Sequence, residues 1–372
     1  MSKTSTTSLT TSRRGFMQGS AAFSGGLMLG VMLPAAGPAR AAGLMHTPSA
    51  WVHIDDDNTI TLISARAEMG QGVYTSMPML IAEELNVDIQ KVKVAFAPPG
   101  KVYGNALIFG LQLTGGSTSV REGYDKLRVA GAQVREMLVG AAAAKWKVDA
   151  ATLKTANGMV LGPNGQKATY GQLADAASKL PVPEKPVLKD PSQFSIVGKP
   201  TTRLDTPAKV NGTARFGIDV KLPGMVYASL AMSPVQGGTV KSFDGAKARA
   251  AAGVVDVVQI PDGIAVVADT YWHAVKARDL LQINWDEGAN AGLTTAAMVA
   301  GTQAALASGK PVPHKKEGDA DGLVAAATKV VRAEYRTQNL SHAPMEPMNF
   351  TAHFQPDAQG DRMLLVGPTQ WP

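Results

Sequence analysis

No cysteine occurs among the 372 residues. That excludes disulfides, Cys-ligated zinc, cysteine nucleophiles, and any iron–sulfur cluster or c-type haem held by this chain alone. Six histidines are present, without ligand spacing, which argues against a His-rich metal centre. No basic stripe interleaved with aromatics appears, so a nucleic-acid partner is not expected. Long hydrophobic runs are also missing. With 45% apolar and 18% charged residues, the composition is that of an ordinary globular protein. It is not that of a disordered, collagen-like or polytopic membrane chain. The length suits two or three domains.

The excess of positive charge is mostly local. Lys3, Arg13, Arg14 and Arg40, with no acid among residues 1–41, supply four of the six net charges. Ser12-Arg13-Arg14-Gly15-Phe16-Met17 precedes a Gly-broken apolar stretch from Gly19 to Ala36, and Ala39-Arg40-Ala41 has the small-x-small form of a cleavage site. The stretch is too short and too glycine-rich for a membrane span. The segment resembles a twin-arginine signal peptide, which implies engagement of the twin-arginine export machinery and a periplasmic mature protein. A general secretory signal with a chance Arg pair is the alternative. Twin-arginine export carries folded proteins, so a buried cofactor inserted before export is expected.

Beyond residue 41, period-two and helical patterns alternate without a βαβ repeat, which points to an α+β fold. Trp51–Ile63 reads as a hairpin around Asp55-Asp56-Asp57-Asn58, Val73–Leu85 as a helix, Lys91–Ala97 as a strand and Ser119–Trp146 as a long helix. Asn157-Gly158 and Asn164-Gly165 mark hairpin turns. Pro181, Pro183, Pro186 and Pro191 make a stiff linker, placed as a domain boundary. Strands are expected over Val210–Ala231, around Leu222-Pro223-Gly224. More are expected over Val254–Ile260, Ile264–Ala268, Leu281–Trp285, Val330–Arg336, Asn349–Gln355 and Arg362–Gly367. Helices are expected over Thr270–Leu281 and near Thr294–Ala307.

Two segments put glycines ahead of a helix. They are Glu68-Met69-Gly70-Gln71-Gly72 and Thr114-Gly115-Gly116-Ser117-Thr118-Ser119. A helix N-terminus offers free N–H groups and the positive dipole end to an anion, and glycine lets a ligand approach the backbone. Tight turns with Ser/Thr caps account for the same residues. Neither segment is a Walker loop or a GxGxxG fingerprint. His342-Ala343-Pro344-Met345-Glu346-Pro347 and the final Gly367-Pro368-Thr369-Gln370-Trp371-Pro372 are two further unusual segments.

Taken in order, these four segments closely resemble the molybdenum-binding large subunit of the xanthine dehydrogenase/aldehyde oxidase family. The early position of the Gly-Gln-Gly turn is similar to the branch that holds the isoquinoline 1-oxidoreductase large (beta) chains. Residues 207–290, with Lys209-Val210-Asn211-Gly212, are similar to the family's α/β hammerhead domain. The resemblance implies hydroxylation of an aldehyde or N-heterocycle with oxygen from water. It implies a molybdopterin cytosine dinucleotide cofactor, 2Fe-2S clusters on an iron–sulfur small subunit, and a downstream electron acceptor. By motif, Gly70 and Gln71 should contact the pterin or its nucleotide tail, Gly115, Gly116, Ser117 and Ser119 should cradle its phosphates, and Gln370 should lie beside the metal's oxo group. Glu346 is read as structural. The expected division is a leader over 1–41, a first molybdopterin-binding segment over 42–180, a linker over 181–206, the hammerhead over 207–290, and the start of a second segment over 291–372.

Family members are about twice as long. Their Gly-rich Phe loop and general-base glutamate match nothing here, so no catalytic or metal-ligating residue is assigned in this chain. A truncated, non-catalytic relic or scaffold of the family, and an unrelated anion-binding module, remain as other readings. The strand ending at Val366 is expected to lack sheet neighbours and to leave apolar surface exposed.

Overall fold

The computed structural model describes residues 45–312, 314–315, 317–356 and 360–372. The leader expected over 1–41 lies outside them. The chain divides into two compact units. One holds the described residues up to Val220 together with Ala343–Pro372, and the other holds Lys221–His342.

In the first unit a four-stranded sheet runs in the order β1 (Met45–Ser49), β2 (Val52–Asp55), β3 (Ile60–Ser64), β4 (Lys93–Phe96). The first three strands are antiparallel, and β4 lies parallel to β3. That parallel step needs a crossover, which α1 (Val73–Leu85) supplies. α1 starts at Gly72 and stops at Asn86, both in the left-handed region, where glycine and asparagine are tolerated best. α2 (Ser119–Trp146) packs along α1. Gly131 permits the approach, because a Cβ there would sit 2.5 Å from the Ile81 carbonyl oxygen.

The apolar positions read from helical spacing form the core. Val73, Met77, Leu80, Ile81 and Leu85 of α1 meet Leu127, Val134, Met137 and Leu138 of α2 over Val52, Ile54 and Leu62 of the sheet. Each fully buried Leu or Ile contributes roughly 1.5–3 kcal/mol. A small antiparallel sheet follows, β5 (Lys154–Ala156), β6 (Met159–Leu161) and β7 (Lys167–Thr169). It leads into α3 (Tyr170–Ser178), which sequence reasoning missed. Its signal was present: Thr169 and Gln172 form a capping box.

The Pro-rich segment is not a boundary between the units. It straps the first unit, and the division falls at Val220. The cause is a pair of fully buried carboxylates on α1. Glu83 accepts from the N–H groups of Ser195, Ile196 and Val197 and from Lys189 Nζ at 2.7 Å. Burial pushes the Glu83 carboxyl up, but those donors outweigh it and hold it below its ordinary value. Glu84 accepts from Arg128 Nε at 2.9 Å, Arg135 Nη1 at 3.1 Å and the Lys189 N–H at 3.0 Å. A buried charge must be paired and hydrogen-bonded, and the strap supplies the donors.

After the short helix α4 (Thr206–Val210), the strands expected over Val210–Ala231 are reduced to one. Gly217–Asp219 is a 3-10 turn instead. In the second unit β8 (Tyr227–Met232) joins β10 (Val254–Ile260) and β11 (Gly263–Ala268) in an antiparallel sheet, with β11 central. β9 (Thr239–Asp244), also missed, pairs with β12 (Gln282–Asp286). α5 (Ala246–Arg249) and α6 (Tyr271–Arg278) close a small core around Val257, Ile264, Val266 and Ala277. α7 (Thr295–Ser308) and α8 (Ala320–Ala326) bury no side chain. Val330–Arg336 is not a strand: its β-branched residues have no partner strand among the described residues.

The chain returns to the first unit as a hairpin, β13 (Thr351–Gln355) with β14 (Arg362–Val366). Among the described residues these strands pair only with each other. Phe354, Met363 and Leu365 are exposed. The mixture of helices and mainly antiparallel sheets is α+β.

Candidate functional site

Three of the segments singled out in the sequence meet at Thr114, in the first unit. Its hydroxyl accepts the Ala67 N–H at 2.8 Å, which ties down the base of the Gly70-Gln71-Gly72 turn. Its own N–H donates to the Gln370 carbonyl at 2.8 Å. Gln370 Nε2 donates back to the Thr114 carbonyl, also at 2.8 Å. Thr114 is buried, whereas Gln370 is exposed, so the bonds between them are partly shielded from water. Sequence reasoning placed Thr114 in a motif but gave it no role.

The two helix starts differ, although the sequence made them look alike. At α1 the Glu68 carboxylate already occupies the helix end. It accepts from the N–H groups of Gly70 at 2.7 Å, Gly72 at 3.0 Å and Tyr74 at 2.8 Å. Arg203 Nη2 approaches the same carboxylate at 3.1 Å, and Arg203 Nη1 donates to the Gly70 carbonyl at 2.8 Å. Burial pushes the Glu68 carboxyl up. The three N–H groups and the Arg203 charge outweigh burial and hold it below its ordinary value. The expectation of free N–H groups there is thus corrected: those of Gly70, Gly72 and Tyr74 are taken internally.

Gln71 is exposed, yet its amide braces the turn. Nε2 donates to the Ala67 carbonyl at 2.9 Å and Oε1 accepts the Met69 N–H at 2.6 Å. An amide has a second hydrogen and a second lone pair, so Gln71 keeps capacity for a ligand. A Cβ on Gly70 or Gly72 would meet nothing within 4 Å. The outer face of this turn is therefore open.

At α2 the end is uncapped. The Thr118 hydroxyl donates back to the Gly115 carbonyl at 2.7 Å and accepts from the buried Asn105 Nδ2 at 2.7 Å. Neither bond caps the helix, and no side chain caps its first turn. Gly116 (φ 60°) and Ser117 (φ 54°) are both left-handed and exposed, which lays backbone rather than side chain over the helix end. Successive N–H groups in such a turn make an anion nest. Beneath it Glu122 of the first helical turn pairs with the buried Arg66 at 3.0 Å and with Lys126. That neutralises the acid of the first turn, which would otherwise repel an anion.

Gly115, Gly116, Ser117 and Ser119 thus share one helix end. Gln370 is hydrogen-bonded to the same turn, and Gly70 and Gln71 are joined to it through Ala67. Glu346 lies in a different place. It accepts from the Ile218 N–H at 3.1 Å and Asn349 Nδ2 at 2.9 Å, a structural tie in keeping with the role read for it. Glu68 and Arg203 were missed. An acid just ahead of a helix start was the available signal for Glu68, whereas nothing local marks Arg203.

A profile of the molybdopterin cofactor-binding domain matches residues 11–220. The chain belongs to the molybdopterin-binding family that includes xanthine dehydrogenase and aldehyde oxidase. Its similarity to the beta chain of isoquinoline 1-oxidoreductase from Brevundimonas diminuta is 32% identity over 97% of this chain and 52% of the relative. A membrane-bound aldehyde dehydrogenase [pyrroloquinoline-quinone] of Gluconacetobacter polyoxogenes is 30% identical over 82% of this chain and 40% of the relative. A nicotinate dehydrogenase subunit of Pseudomonas putida is 24% identical over 82% and 26%. The chain spans about half the length of the first relative, and less of the others.

The Glu68 carboxyl should titrate below the ordinary value of about 4.3. Its folded value is depressed, so the order it gives the turn is complete above that ordinary value. The order is lost as pH falls through the lower folded one. A carboxyl-carbon NMR titration of the 13C-Glu-labelled chain checks this, and a Glu68 midpoint at or above the ordinary value would refute it.

Proposed function

We propose that this chain supplies one half of a molybdopterin site in a molybdenum hydroxylase that oxidises an aldehyde or an N-heterocycle with oxygen from water. The observation that carries the reading is the meeting at Thr114 of the open Gly70-Gln71-Gly72 turn, the uncapped end of α2, and Gln370. The residues fit a phosphate-bearing pterin: backbone donors and a positive helix end for the phosphates, and an amide with spare capacity for the polar head. When bound, the group supplies the two-electron redox centre.

The roles of the chain's own residues follow from their chemistry. Gly115, Gly116, Ser117 and Ser119 bind the phosphates, for which the left-handed turn keeps side chains clear of the N–H groups. Gly70 and Gln71 orient the pterin against the open turn. Gln370 keeps its Oε1 for a polar neighbour of the metal while its Nε2 is held by Thr114. The cytosine dinucleotide is the form proposed. A small subunit with 2Fe-2S clusters takes the electrons and passes them to a downstream acceptor. Residues 207–290 are proposed to serve as an α/β hammerhead domain, and the Arg13-Arg14 leader to direct export to the periplasm.

The test is to express the full chain with an iron–sulfur subunit and the polypeptide that supplies the other half of the site, in molybdate-replete cells. Molybdenum and acid-released nucleotide are then measured in the periplasmic fraction. Molybdenum stoichiometric with the chain, with cytidine monophosphate, is expected. Absence of molybdenum from the purified complex would overturn the reading.

A further inference from the structure

We propose that Arg203 is a positioning residue for the cofactor turn, a guanidinium fork on the Pro-rich strap that fixes the shape of Gly70-Gln71-Gly72. This rests on the reading that the turn contacts the pterin. One side of the fork faces Asp205, with Nε at 3.1 Å from Oδ1 and Nη2 at 2.9 Å from Oδ2. The other faces the turn, with Nη1 at 2.8 Å from the Gly70 carbonyl and Nη2 at 3.1 Å from Glu68 Oε1. Glu68 gathers the N–H groups of Gly70, Gly72 and Tyr74. Arg203 therefore grips the turn twice, once by its carbonyl and once through the carboxylate that holds its amides.

The aim of the fork is itself fixed. Asp205 is held down to about 2, first by its hydrogen bond from Arg203 and then by Lys209 at 2.6 Å. The next residue, Leu204, donates its N–H to Thr75 Oγ1 of α1 at 3.0 Å. A lone exposed ion pair contributes little to stability, and the Arg203 side chain is 38% exposed. Its geometry serves placement instead. Gly70 (φ 103°) and Gly72 (φ 89°) are conformationally free residues, and a turn made of them needs outside constraint to keep one shape. A planar fork imposes direction, which a lysine ammonium cannot reproduce.

The experiment compares the full chain, co-expressed with its iron–sulfur subunit, with Arg203→Ala and Arg203→Lys. Hydrogen exchange at Gly70, Gly72 and Tyr74 reads the turn, exchange within α2 serves as the fold control, and pterin dissociation reads the consequence. Arg203→Ala should speed exchange at the three amides and pterin loss by about tenfold each, the size expected for charge-assisted hydrogen bonds at a partly exposed site. α2 should be unchanged, Arg203→Lys intermediate, and methylguanidinium should partly restore the alanine variant. If Arg203→Ala fails to fold, Arg203→Lys carries the comparison. Wild-type pterin retention in the variants, with or without a loosened turn, would overturn the inference alone. A wild-type complex with no pterin would remove the functional reading and this inference with it.

Discussion

Replacing Glu84 by alanine is expected to destabilise the first unit by about 3–5 kcal/mol, the usual cost of removing one partner from a buried ion pair. Glu84 is fully buried, and its partners Arg128 and Arg135 are largely so. The substitution leaves two cations without their counter-charge and the Lys189 N–H without its acceptor. Arg128 keeps the Lys189 carbonyl at 2.7 Å and the faces of Tyr124 and Phe194, so the loss should not exceed that range. Glu84→Gln keeps the shape and one acceptor and should cost less. Urea unfolding of the full chain, followed by α1–α2 exchange protection, checks both. A loss under about 1 kcal/mol for the alanine variant, the range of a surface pair, would show that the strap is not anchored by this charge.

Gly116→Val should all but abolish molybdenum binding in the co-expressed complex while the core of the first unit stays folded. A β-branched residue at φ 60° is strained by roughly 1–2 kcal/mol. Its side chain would also lie over the uncapped end of α2. The strain falls on an exposed turn, so the main loss is access to the N–H groups. Gly301→Ala is the matched control: Gly301 lies in the exposed helix α7, and an added Cβ meets nothing. Molybdenum per chain and the melting temperature are the two readouts. Full molybdenum loading of Gly116→Val would remove the phosphate role assigned to this turn.

Much of the first unit was legible because its signals are local. Both long helices begin after glycine turns and carry apolar residues at helical spacing, and their bounds were read correctly. The strap was misread because proline content reports stiffness and not what the stiff segment lies against. What holds it are Glu83 and Glu84, which pattern reading treats as ordinary helix surface or as one more position in the stripe. The second unit was read less well. Val210–Val226, which runs across the division at Val220, has β-branched residues without a partner strand among the described residues, whereas Thr239–Asp244 becomes a strand only because β12 is there to pair with it. At the site, three of the four motifs lie together, but their joining at Thr114 spans contacts 47 and 256 residues apart. No local pattern encodes such distances, and the likeness of the two glycine turns concealed that Glu68 fills one of them.

The bond between Thr114 and Gln370 also sets a schedule. A ribosome adds about 5–20 residues per second, so the 256 residues between the partners take roughly 13–50 s to appear. Once α2 has been made, early in that interval, α1 and α2 can pack while the Thr114 carbonyl awaits its donor. The site therefore closes only when Gln370 has left the exit tunnel. A nascent chain stalled before Gln370 would hold a formed core beside an unfinished pocket.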